Sequence, residues 1–212
     1  MARKTHPRPI GPRRLHDGRR VLIACLLGFA VLAAGVIGYV EITRPPPRVA
    51  TPAAAIGGPF ELIDQDGQTV TDAAYRGKWL LIYFGYTHCP DACPTALSDI
   101  AEALSDLGPL RSKIQPLFIT VDPQRDTPAV LKDYTAAFDA GIIGLTGSAA
   151  QIAEAAKVFR VYYRRDNETG PDYGMAHSSV IYLMDPDGRF VTNFTGEATP
   201  EAMRAKLLQV LS

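Results

Sequence analysis

Two cysteines and one distant histidine are the residues of this sequence best suited to chemistry. Cys89 and Cys93 lie in YFGYTHCPDACPTAL, residues 83–97. Side chains four residues apart on a helical turn face the same side. Two thiols so placed can close a disulfide, or their thiolates can share one metal ion at bond lengths of about 2.3 Å. A static disulfide or two inert buried thiols would satisfy the spacing equally well, so spacing alone does not choose among these. The four histidines narrow the field. His6 and His16 fall in a basic N-terminal tail, and His88 adjoins Cys89, from which its side chain diverges. His177 stands just before the apolar run SSVIYLMD. A lone histidine there serves as readily in a core or at a surface as in a ligand set.

The elements around these residues alternate strand and helix. FELID, the turn DQDG and TVTD read as a hairpin. KWLLIYFGY is a continuous apolar run, the pattern of a strand covered on both faces. From Pro94 the pattern turns helical, with Leu97, Ile100, Ala101, Leu104 and Leu107 on one stripe before Gly108. IQPLFITVD is a second buried strand, followed by a helix from about Pro128 to Phe138 and another in SAAQIAEAAKVF, capped by Ser148. SSVIYLMD and RFVTNFT, joined at PDG, form a late hairpin, and TPEAMRAKLLQVL closes with a helix. Residues 162–174, YYRRDNETGPDYG, read as a polar loop or a flap carrying His177. Trp79, Tyr83 and Phe84 read as core. A strand–helix–strand crossover followed by antiparallel strands is the layout of an α/β thioredoxin-like domain. It places Cys89 after the first buried strand, Pro90 at the first helical position and Cys93 in the first helical turn. There the helix dipole favours loss of the thiol proton.

The charge is divided along the chain. Residues 1–48 hold nine Lys/Arg and two acids, and the remainder thirteen basic and twenty acidic residues. An acidic domain argues against nucleic acid as its partner. Residues 21–40, VLIACLLGFAVLAAGVIGYV, carry no charge. At about 1.5 Å per residue, twenty helical residues span a hydrocarbon core about 30 Å thick. The expected organisation is a basic cytoplasmic tail (1–20), a single transmembrane helix (21–41) with Cys25 as an apolar packing residue, a Pro/Ala/Gly-rich linker (42–58) and a globular domain (59–212). The basic residues precede the anchor, which places the domain on the far side of the membrane, where thiols meet an oxidising compartment.

Three ordered stretches, IYFGYTHCPDACP, ITVDPQRDTP and MAHSSVIYLMDPDGRF, closely resemble the Sco/SenC family of membrane-anchored copper-binding proteins, over nearly all of 58–212. The resemblance implies a thioredoxin-like fold and a role in assembling the binuclear copper A centre in subunit II of cytochrome c oxidase. It matches Cys89, Cys93 and His177 to the family's metal ligands, with Cys89 and Cys93 also able to form a redox-active disulfide. It matches Asp122 to an aspartate acting behind the ligands. It implies a bacterial inner-membrane protein with its domain in the periplasm, or the equivalent in the mitochondrial inner membrane facing the intermembrane space. Two thiolates suit Cu(I), and an added imidazole suits either copper oxidation state; Met175, Asp122 or water would complete a fourth position. The alternative implied by the same residues is a thiol–disulfide oxidoreductase that reduces the cysteines of subunit II. Against it, oxidoreductases of this fold commonly place a proline before the late strand, where this chain has GMAHSS.

Overall fold

The computed structural model describes residues 22, 23, 26, 28, 56–166, 170, 173–195 and 198–211. The chain divides into two units, Met1–Thr51 and Pro52–Ser212. In the first, Leu22, Ile23, Leu26 and Gly28 are helical. Most of the expected anchor, with Cys25, His6 and His16, lies outside the described residues. Among the described residues no helix is long and apolar enough to cross a membrane.

The second unit is built on a seven-stranded sheet. Strands β1 (Glu61–Asp64) and β2 (Thr69–Thr71) form the expected hairpin, with Leu62 opposite Val70. Then come β3 (Trp79–Gly85), helix α1 (Ala92–Ser105), β4 (Ile114–Thr120), α2 (Pro128–Ala136), β5 (Ile143–Thr146) and α3 (Ala149–Val158). Two short strands, β6 (Tyr163–Arg165) and β7 (Met175–His177), precede β8 (Val180–Met184), β9 (Phe190–Thr195) and α4 (Pro200–Leu211). The sheet order is β2-β1-β5-β4-β3-β8-β9. β3 and β4 run parallel through the α1 crossover, while β8 and β9 are antiparallel to their neighbours. The four strands β4-β3-β8-β9 are the core of a thioredoxin-like α/β fold.

β3 lies at the centre of the sheet, and Leu80 through Tyr86 are all buried. This is why that stretch reads as an unbroken apolar run. α1 packs on β3 and α4 through Cys93, Leu97, Ile100, Ala103 and Leu104. Thr127 caps α2, and Ser148 caps α3 in a reciprocal box with Gln151.

Four details differ from the sequence reading. α1 begins at Ala92 with Asp91 as its N-cap, so Pro90 precedes the helix and Pro94 takes the third helical position. On the expected stripe, Ala103 is buried where Ala101 is only partly so. Four-residue β5 completes the sheet between β4 and β1. The expected loop 162–174 begins in a strand that pairs with the residues just after it: Tyr163 faces His177 and Arg165 faces Met175 in a separate two-stranded sheet.

Candidate metal centre

Cys93 is the second residue of α1 and is fully buried. Its sulfur occupies room left by Gly85 at the end of β3. A Cβ on Gly85 would stand 2.8 Å from Cys93 Sγ and 2.8 Å from Phe118 Cε2. Cys89, in the loop before α1, is partly buried, and the Cys93 backbone N–H points at its sulfur with N···Sγ 3.4 Å. The first turn of a helix has amide donors without intrahelical partners, so this contact turns the two sulfurs toward one another. Both are free thiols.

His177 ends β7 and is half-buried. Its Nδ1 lies 3.2 Å from the Ser178 carbonyl oxygen. A carbonyl only accepts, so Nδ1 carries the proton and Nε2 keeps its lone pair. Nε2 lies 3.4 Å from Cys93 Sγ, where the thiol donates to it. The imidazole meets Tyr83 and Tyr86 nearly edge to face, with ring centroids 6.1 and 5.8 Å away. The Tyr83 hydroxyl completes the wall, 3.9 Å from Cys93 Sγ and 3.2 Å from Ser179 Oγ. One donor atom from each of Cys89, Cys93 and His177 falls within 4.8 Å of the others.

Burial governs the protons here. It pushes the Cys93 thiol up to about 12, although a backbone hydrogen bond from Tyr86 works the other way. The expectation that the helix N-terminus would lower this thiol is therefore reversed, since desolvation outweighs the dipole at so buried a sulfur. Burial also lowers the pKa of His177, partly offset by the Ser178 carbonyl. Near neutral pH the metal-free site holds a protonated Cys93 and an uncharged imidazole, so a cation bound by this thiolate displaces its proton.

A second layer fixes the loops. Asp122, almost fully buried after β4, accepts the Tyr173 hydroxyl at 2.7 Å and pairs with Arg125. It is not one of the three clustered donors. Asp126 is fully buried and accepts from Thr87 N at 3.0 Å, Thr87 Oγ1 at 2.6 Å and Thr120 Oγ1 at 2.5 Å. It thereby ties the cysteine loop to the end of β4. His88 is exposed and lies beside Thr87 and Asp126, as its adjacency to Cys89 implied. Sequence reading passed over Gly85, Tyr86, Asp126 and Tyr173. Asp126 had one visible signal, its place in VDPQRDTP four residues beyond Asp122.

The SCO1/SenC family model matches residues 48–212. The SCO2-like protein of Rickettsia felis is 44% identical over 148 residues, covering 69% of this chain and 72% of its own. The mitochondrial SCO2 homolog of Bos taurus is 40% identical over 189 residues, covering 86% and 71% respectively. Among solved structures, Bradyrhizobium japonicum ScoI with copper bound is 50% identical and superposes with a TM-score of 0.68 over 73% of this chain and 99% of that one. With its thioredoxin-like core and two cysteines facing one histidine, the chain belongs to the SCO1/SenC family.

Proposed function

We propose that this protein is a membrane-anchored copper chaperone that holds the ion between Cys89, Cys93 and His177 and assists assembly of the copper A centre in subunit II of cytochrome c oxidase. One observation carries the reading: Nδ1 of His177 is committed to the Ser178 carbonyl, which leaves Nε2 facing Cys93 at 3.4 Å. An imidazole held in one tautomer by a carbonyl behind it is the usual arrangement of a metal-ligating histidine. The donor set suits copper. Two thiolates satisfy Cu(I), and the imidazole adds the nitrogen donor that Cu(II) prefers. The copper-bound ScoI structure and the family match support the same assignment.

Topology follows from the charge of residues 1–48 and the uncharged run 21–40. The N-terminal tail stays in the cytoplasm, residues 42–58 link, and 59–212 work in the periplasm, or in the intermembrane space if the chain is mitochondrial, as its bovine relative is named. A reporter fused after Ser212 is expected to be active only outside the cytoplasm, and cytoplasmic activity would reverse the assignment.

The second reading is reduction of the subunit II cysteines. It is favoured by both thiols being free and by the partial exposure of Cys89. The high pKa of Cys93 disfavours it, because exchange requires a thiolate. Copper loading of variants separates the two. His177→Ala should lose most Cu(II) retention while keeping Cu(I) and the ability to form the Cys89–Cys93 disulfide. Cys89→Ser or Cys93→Ser should lose both. An unchanged Cu(II) spectrum in His177→Ala would remove the three-ligand site and leave thiol exchange as the better account.

A further inference from the structure

His177 is carried by a hairpin that forms its own two-stranded sheet, so something must hold that hairpin against the body that carries the cysteines. Tyr163 and Met175 pack on the core, and a set of polar and ring contacts meets at Tyr173. Its ring centroid lies 3.6 Å from the guanidinium carbon of Arg125 and 3.6 Å from that of Arg165. Its hydroxyl donates to Asp122 at 2.7 Å. Tyr173 is 7% exposed. Arg165 belongs to β6 and pairs with Met175, two residues before His177. Asp122 and Arg125 belong to the loop after β4, which is fixed to β3 by Val121 N donating to the Gly85 carbonyl at 2.8 Å. Arg125 also lies 5.9 Å from the Tyr86 ring, the ring that meets His177 edge-on. One aromatic ring thus joins an arginine of the hairpin to an arginine of the body, and the Asp122 carboxylate offsets the positive charge on Arg125.

We propose that Tyr173, with Arg125 and Arg165, is a latch that sets the position of His177, making Tyr173 a positioning residue for the third ligand. The proposal rests on the copper reading for its consequence and on the geometry of the hairpin for its substance. With the latch closed, Nε2 waits at the sulfurs. With it open, the site reduces to two thiolates that still hold Cu(I). Tyr173→Phe removes the hydroxyl bond to Asp122 and keeps the ring, whereas Tyr173→Leu removes both.

The test loads the full chain with Cu(II) and follows removal of the ion by a chelator. Tyr173→Phe should release it about fivefold faster, the worth of one net hydrogen bond. Tyr173→Leu should release it at least about tenfold faster through the added loss of ring–cation contacts. Cu(I) retention and Cys89–Cys93 disulfide formation should stay as in the parent. In a His177→Ala background neither substitution should change the release rate. Equal acceleration in both backgrounds, or none in either, would overturn the latch. A metal-free measurement keeps its failure distinct from failure of the copper reading. The His177 imidazole resonances in a nitrogen–proton correlation spectrum should shift and broaden in Tyr173→Leu. If they do not move, the latch is wrong whatever the copper experiments show; if they do while the parent binds no copper through His177, only the copper reading falls.

Discussion

Cys93 and His177 touch, yet different kinds of structure hold them. The cysteine is locked into a helix seated on the central strand, fully buried, its sulfur filling a space in the main core. The histidine stands at the end of a three-residue strand, half-buried, in a hairpin outside the main sheet. A core position cannot shift without repacking many neighbours. A hairpin outside the main sheet, which rests on the core only through partly buried Tyr163 and Met175 and through the contacts of Tyr173, can. A site with one fixed side and one adjustable side can change its donor number without unfolding.

The largest blow to the fixed side should come from Asp126→Ala. It leaves Thr87 N and Thr120 Oγ1 without their buried acceptor. A loss of about 2–4 kcal/mol in unfolding free energy is expected, with reduced copper retention, and denaturant titration measures it. A loss under about 0.5 kcal/mol would show that the cysteine loop is held by something else. Gly85→Ala should follow at about 1–3 kcal/mol, because the new methyl meets Cys93 Sγ and Phe118 at 2.8 Å. It should also slow Cys89–Cys93 disulfide formation, whereas an unchanged rate would mean that the sulfur has room elsewhere.

The two sides should separate next by pH, with opposite signs. The folded chain keeps the Cys93 proton up to about 12, while an unfolded thiol releases it near the ordinary value of 9.0. Between those values the unfolded state binds fewer protons, so stability of the reduced metal-free protein falls as pH rises. For His177 the folded pKa lies below the ordinary 6.5. The unfolded chain therefore takes up a proton first on acidification, and stability falls as pH drops through and below that value. Urea unfolding across pH should show Cys93→Ser flattening the alkaline limb and His177→Gln the acid limb. Exchange of the two effects would refute the assignment. The smallest effect belongs to His88→Gln. This exposed neighbour should change stability by no more than about 0.5 kcal/mol and copper retention not at all; a clear loss of copper would add a ligand that the geometry does not include.

The same contrast explains what the sequence revealed. Elements of the fixed side announce themselves, because a strand covered on both faces must be apolar throughout and a helix on a sheet must show a stripe. KWLLIYFGY and the Leu97–Ile100–Leu104 stripe satisfy both, and each lies where it was expected. The three site residues were legible from CPDAC and AHSS together with the family resemblance, and their donor atoms do converge. The hairpin was not legible. Tyr163–Arg165 and Met175–His177 are three residues each, too short for alternation to register, and Arg164 and Arg165 read as solvent-facing. β5 escaped because its four residues include Gly144 and follow a Gly141 turn. The high pKa of Cys93 was missed for a different reason: a helix N-terminus is visible in a sequence, but the depth at which a particular sulfur ends up is not.

Gly85 bears on any attempt to move this site into another protein. The sulfur of Cys93 and the side chain that Gly85 lacks compete for one volume. A host sheet given only the CPDAC loop would meet the thiol with whatever side chain ends its central strand, and would push the helix away or turn the sulfur outward. The smallest portable form of the cysteine half of the site is therefore the whole stretch 85–93, with the glycine as much a part of it as the cysteines.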